Sequence, residues 1–141
     1  MSPSLALATA VTFVWLGMVT AISFLEAPLK FRAPGVTLPI GLGIGRLVFR
    51  ALNIAELALA AVLASALLLA MPAARIMIST TVPVAILMTQ IVLVRPRLAR
   101  RSDRVLAGNE ATRCNAHYWY IGLEVAKVVA LLITGVFLVT A

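Results

Sequence analysis

Four long apolar stretches divide the chain, at about Leu5 to Leu25, Leu47 to Met71, Ile76 to Val94 and Tyr118 to Val139. Each is close to the roughly 20 residues that carry a helix across about 30 Å of hydrocarbon. None shows the alternating segments of about 10 residues that mark a membrane β-barrel. The pattern predicts an all-α fold, an integral membrane four-helix transmembrane bundle, with residues 1–141 forming a single transmembrane domain. The first stretch lacks a basic leader and is too long for a secretory core segment, so it reads as a retained span.

Polar residues inside the stretches are not scattered. At 100° per residue, Arg46, Arg50, Asn53 and Glu56 fall within an arc of about 120° on the second helix. On the fourth, Arg113, His117, Tyr120, Glu124 and Lys127 recur at spacings of four, three, four and three, and Thr134 continues the stripe. The first helix is milder, with Thr9, Thr12, Ser23 and Glu26 sharing a face and Lys30 just beyond it. Depth separates these residues. Lys30, Arg46 and Arg113 lie within a turn of the boundary and can reach water along their stems. Glu56 and Lys127 lie roughly 12 to 15 Å below the cytoplasmic boundary, and Glu124 is only slightly shallower. A charge at mid-helix costs about 2.5 to 3.5 kcal/mol on insertion, so all three need partners or a wet cavity. The expectation is that Glu56, Glu124 and Lys127 cluster inside the bundle, with Arg50, Asn53, His117 and Tyr120 above them and Glu26 at the rim.

The connections carry their own signals. Pro28, Pro34, Gly35 and Pro39 predict that the first span ends near Glu26. The apolar connection APLKFRAPGVTLPIGLGIG is expected to lie in the interface or pack back on the bundle, its GLGIG tail permitting a tight entry into span two. That tail follows no strand, which argues against a phosphate loop. The short Met71-Pro72-Ala73-Ala74-Arg75 turn makes spans two and three antiparallel neighbours, and Pro83, after Ser79, Thr80 and Thr81, predicts a kink.

Composition agrees with a membrane chain, at 62% hydrophobic, 12% charged and a mean hydropathy of +1.07. A net charge of +7 raises nucleic acid as a partner, but placement argues against it. Lys30, Arg32 and Arg46 lie between spans one and two, and Arg95, Arg97, Arg100, Arg101, Arg104 and Arg113 between spans three and four. Both connections share one side, and the other offers Arg75. By the positive-inside rule the basic loops are cytoplasmic in an inner or plasma membrane and both termini lie outside. The basic excess then serves topology and attraction to anionic membrane lipid. RPRLARRSDRVLAGNEATRCN is expected to form a short amphipathic surface helix. One cysteine, Cys114, permits no internal disulfide.

Several chemistries fit the polar faces. His117, the one histidine, belongs to the residue type whose ordinary pKa lies near neutrality, and it has Tyr120 and Glu124 on its own face. A metal held by His117, Glu124, Glu56 and Glu26 is conceivable, but Glu-x-x-His pairs are missing and Arg50 and Lys127 would repel a cation. Arginines and an amide at the mouth suit an anionic or carbonyl-bearing guest.

The series WLGMVTAISFLEAPLKFR, GIGRLVF, LVRPRL and then His117 resembles the family of small four-helix membrane proteins that includes the eukaryotic transmembrane protein 205. The matching positions are Trp15, Gly17, Phe31, Arg32, Gly45, Arg46, Arg95, Pro96 and His117, and the resemblance implies the fold but no mechanism. Asn53 and Glu56 also resemble the Arg-x-x-x-Asn-x-x-Glu helix of the membrane-associated proteins of eicosanoid and glutathione metabolism. Arg50 stands three residues before Asn53 where that pattern has four, which rotates it by about 100°.

The leading expectation is a polar intramembrane pocket that binds or translocates a small molecule or ion, using Glu26, Arg46, Arg50, Asn53, Glu56 and Lys127. The alternative is a membrane enzyme on a lipophilic substrate with His117, Tyr120 and Glu124 as acid/base groups, with a thiol or metal cofactor. A third class is an accessory subunit of a larger partner. The small size favours a homo-oligomer.

Overall fold

The computed structural model describes residues 1–96, 100, 103 and 115–141, the last stretch with side chains from Tyr118 onward. Four helices account for most of them: α1 (Pro3–Lys30), α2 (Leu38–Ala70), α3 (Ala74–Val94) and α4 (Asn115–Val139). All four are long and apolar enough to cross a membrane, and the fold is an all-α four-helix bundle of a multi-pass membrane protein. The expected surface helix in the second basic connection, Arg113 and Cys114 fall outside the described residues.

Side-chain caps set the starts of α1 and α2. Ser2 Oγ accepts from the Leu5 N–H at 3.2 Å and Thr37 Oγ1 from the Ile40 N–H at 3.4 Å, with Pro3 and Pro39 in the first turns where no N–H is needed. The Thr37 cap moves the start of α2 to Leu38 instead of the expected Leu47, so the GLGIG glycines lie inside the helix and not at a tight entry. Their smallness serves packing. A Cβ at Gly41 would run into the Phe31 ring, and one at Gly45 would lie 2.6 Å from Lys30 Nζ. Lys30 also stands 5.5 and 5.7 Å from the Phe31 and Phe49 ring centroids, so the end of α1 folds back onto α2.

The prolines of α1 and α3 do not stop their helices. The first span runs past Glu26 to Lys30 because its turns widen over Thr20–Glu26, where the Ala27 N–H reaches back five residues to Ile22, and Pro28 enters at the first turn of the regular Ala27–Lys30 segment. Helix α3 continues through Pro83, with Ser79 and Thr80 donating to the Ile76 carbonyl and Thr81 to that of Met77, then widens over Gln90–Val94. Helix α2 ends on Met71, whose left-handed φ of 46° reverses the chain ahead of Pro72.

The expected close pairing of α2 with α3 is not what forms. Helix α1 packs on α2 and on α4, α4 packs on α3, and α2 shares little surface with α3 despite their short turn. The central pair holds them apart: Trp15 and Leu131 are fully buried between the helices, and Gly135 admits the Phe13 ring, so α1 and α4 approach closely.

The interior is divided along its length. One apolar core joins Ala8, Val11, Trp15 and Val19 of α1, Leu63, Ala66 and Leu67 of α2, Ile76 and Leu87 of α3, and Leu131 and Leu138 of α4. All of these lie toward the termini and the Met71 turn. The other half, toward the basic connections, buries Asn53, Glu56, Gln90, Glu124 and Lys127. In both halves large apolar side chains face outward, Leu47 in this one and Leu69 and Ile78 near the Met71 turn. Polar inside and apolar outside is the arrangement a bilayer demands.

Gly41→Ala is expected to destabilise the fold by about 1 to 3 kcal/mol by displacing the Phe31 ring. Gly43→Ala, with nothing within 4 Å of its Cβ position, should be neutral or stabilising by up to about 1 kcal/mol through helix propensity. Unfolding in mixed micelles checks the pair.

Candidate functional site: a buried ion network

The four helices meet where the apolar core ends. Lys127, with no exposed surface, reaches across from α4 so that Nζ donates to Glu56 Oε1 and Oε2 of α2 at 3.0 and 2.9 Å. The same nitrogen donates to Gln90 Oε1 of α3 at 2.7 Å and lies 2.7 Å from Glu124 Oε1, one turn back on α4. Gln90 Nε2 donates to Glu124 Oε1 at 2.7 Å, and Ser23 Oγ of α1 donates to Glu124 Oε2 at 2.6 Å. Each helix contributes, and every side-chain nitrogen and oxygen of these five residues has a partner. This is the condition under which charges persist in a low-dielectric interior.

Helix geometry explains why these positions face one another. Glu124 and Lys127 are three residues apart and share a face of α4, which also carries buried Tyr120 and Thr134. Thr134 and, on α1, Thr12 return their hydroxyls to their own helix carbonyls four residues back. On α2 the predicted stripe splits. Asn53 and Glu56 point inward, but Arg46 and Arg50 are exposed, so Arg50 does not sit above the cluster. Arg50 lies about 120° around the helix from Glu56, and its long stem carries the guanidinium out to water. Arg46 pairs with Asp103 at 2.6 Å, both largely exposed, a contact of small energetic weight.

Arg95, just past α3, donates to the carbonyls of Phe49 at 2.9 Å and Arg46 at 3.3 Å, tying that end of α3 to α2. Burial, and then the Arg50 and Arg46 charges, lowers its guanidinium from the ordinary value.

Gln90 was not anticipated from the sequence. The signal was present, since it is the sole amide in the Ile76 to Val94 stretch, but it stood alone among threonines that bond to their own helix. Ser23 was placed on the right face without a partner. Glu26 lies at the rim, half-buried, with Oε2 buried and unpartnered. The position of the His117 side chain falls outside the described residues. The space between Glu56 and Glu124 that a metal would need is filled by Lys127 Nζ. Among the described residues no group of three or more His, Cys, Asp or Glu is arranged to hold a metal ion. Two shallow grooves, of about 480 and 490 Å³, lie away from this network, beside Tyr118, Trp119 and Gly122 and along the Ile78, Thr81 and Ala85 face of α3.

No family model matches the chain, and no curated protein or solved structure matches it either.

Lys127→Met leaves two buried carboxylates facing each other and is expected to cost about 3 to 5 kcal/mol of stability. Glu56→Gln leaves one carboxylate balanced by one ammonium and should cost distinctly less. Unfolding free energies of the two variants in mixed micelles check the order.

Proposed function

We propose that the protein binds and translocates protons, alone or with a small solute, through the network of Glu56, Glu124 and Lys127. The observation that carries this reading is a charge imbalance at full burial. Two carboxylates face one ammonium, so with all three ionised the network holds one net negative charge in a setting where an unbalanced charge is costly. One proton balances it. No larger cation has room, because Lys127 Nζ already occupies the point between the carboxylates.

Proton loading and loss then change the bonding of a single atom. With both carboxylates ionised, Lys127 Nζ is shared among Glu56, Glu124 and Gln90. With one protonated, the ammonium pairs with the other, and the loaded network is neutral. Alternation between these two bonding patterns is the switch a proton-coupled carrier needs. In this reading the connections at residues 31–37 and 97–114 are cytoplasmic and both termini lie outside, an orientation that the basic residues of those connections support. Kinship with the transmembrane protein 205 family belongs to the same proposal. In support of it, Gly45 seats Lys30 and Arg95 bridges to α2, which gives structural work to matching positions.

A second reading is supported by the completeness of the hydrogen bonding: the network locks helix register and moves nothing. The acid/base enzyme reading gains less support, since Glu124 already serves Ser23, Gln90 and Lys127.

Proteoliposomes loaded with a pH-sensitive dye, under a potassium diffusion potential, separate these readings. Proton entry above that of protein-free vesicles is expected, falling at least about tenfold in Glu56→Gln and Glu124→Gln while both variants stay folded. Wild-type flux equal to that of empty vesicles would leave the register lock as the better account.

A further inference from the structure

One helical turn from the ion network, on the side of the basic connections, the hydrogen bonding stops being complete. Asn53 lies three residues before Glu56 on α2 and is 4% exposed, yet neither its Nδ2 nor its Oδ1 has a partner. Tyr120 lies four residues before Glu124 on α4 and is 8% exposed, and its hydroxyl has no partner. Side chains of the two helices meet at this level, where the Phe49 and Tyr120 rings pack edge to face with centroids 5.6 Å apart. Glu26, one turn beyond Ser23 on α1, brings another buried and unpartnered oxygen to the rim of the same level.

Such groups are expensive when dry. Each buried donor or acceptor without a partner costs about 1 to 3 kcal/mol, and in hydrocarbon no outside group can supply the bond. An amide offers two donors and an acceptor and a phenol offers one of each, the 2 to 4 polar contacts that hold a buried water. The opposite side of the network has no such layer. There Val19, Leu63, Leu87 and Leu131 belong to the apolar core, in which the Trp15 indole N–H is the one unpartnered side-chain group among the described residues.

We propose that Asn53 and Tyr120 form a water-binding vestibule that connects the ion network to the basic-loop side of the membrane and to that side alone. Its ligand class is water and the protons that water carries. The amide and the phenol hold the water between Glu26 at the rim and the carboxylates of Glu56 and Glu124 within. The charged groups around it are Glu26 and Lys30 on α1, Arg46, Arg50 and Glu56 on α2, Arg95 at the end of α3, and Glu124 and Lys127 on α4. Lys30, Arg46, Arg50 and Arg95 lie on its basic-loop side, whereas Lys127 lies inward, in the network. As a route for protons the vestibule rests on the proton reading above, but its hydration and sidedness do not.

Sided thiol labelling tests it. In a Cys114→Ser background, N53C is exposed to the small, membrane-impermeant anion sulfonatoethyl methanethiosulfonate in membrane vesicles of each orientation. D103C marks the basic-loop side and M71C the opposite side, both positions being exposed; L63C reports the apolar half. N53C is expected to react in the vesicles in which D103C reacts, at least about tenfold faster than L63C, and to stay unlabelled where M71C alone reacts. Should N53C fail to fold, Y120C replaces it with the same expectation. Labelling no faster than L63C, or labelling from the M71C side, overturns the vestibule. Proton flux reports separately: a wild type without flux but with sided labelling keeps the vestibule and loses the proton reading. Flux without labelling does the reverse.

Discussion

Everything in this bundle is arranged around one ammonium ion that must not be left alone in hydrocarbon. Lys127 lies on the fourth helix at a depth from which no stem can reach water, and its nitrogen finds acceptors on the second and third helices and on its own. The first helix is drawn in through Ser23 and Glu124. In water such contacts would be worth little; in a low-dielectric interior their loss leaves a charge that nothing else can compensate. The network therefore helps to fix the relative depth of the four helices, together with the glycine seats for the Phe31 and Phe13 rings.

That constraint also explains the lengthwise division of the interior. Apolar packing fills the half toward the chain termini, with Trp15 its largest fully buried side chain. In the other half the packing thins to Val94, Tyr120, Phe49 and Leu123. The ends of the helices there are held by Lys30 over the Phe31 and Phe49 rings and by Arg95 on the carbonyls of α2. These are contacts of cations at a water boundary, where guanidinium and ammonium groups keep their hydration while bracing the backbone.

How much of this was legible in the sequence depends on the kind of signal. Four spans follow from apolar length alone, because hydrocarbon thickness is a fixed ruler. The convergence of Glu56, Glu124 and Lys127 followed from depth and helical phase, since deep charges must pair and period 3.6 says which way they face. Arg50 went astray because phase places it at the edge of the stripe, where stem length and the nearness of water decide, and neither is a matter of period. The start of α2 at Leu38 was hidden by the glycines, which read as a turn until the Phe31 ring and the Lys30 stem are seen lying on them. Gln90 was hidden because a single amide in an apolar run looks the same whether it is tolerated or required. The order of helices around the bundle was not legible either: a short turn between α2 and α3 constrains their ends, while Phe13, Trp15 and Gly135 decide which pair sits at the centre.

The weak contact between α2 and α3 bears on how a charge change would be felt. Those two helices are tied by their Met71 turn at one end and by Arg95 on the Phe49 and Arg46 carbonyls at the other. Between these ties Lys127 bridges Glu56 to Gln90. The bridge is a charge-assisted bond to a carboxylate on one arm and a bond to a neutral amide on the other, so the two arms respond differently to protonation. Neutralising Glu56 weakens the first arm and leaves the second, and neutralising Glu124 frees the ammonium to strengthen both. On the proton reading proposed above, a single proton would choose between two distributions of the same bonds, at the seam between the two helices that share least surface.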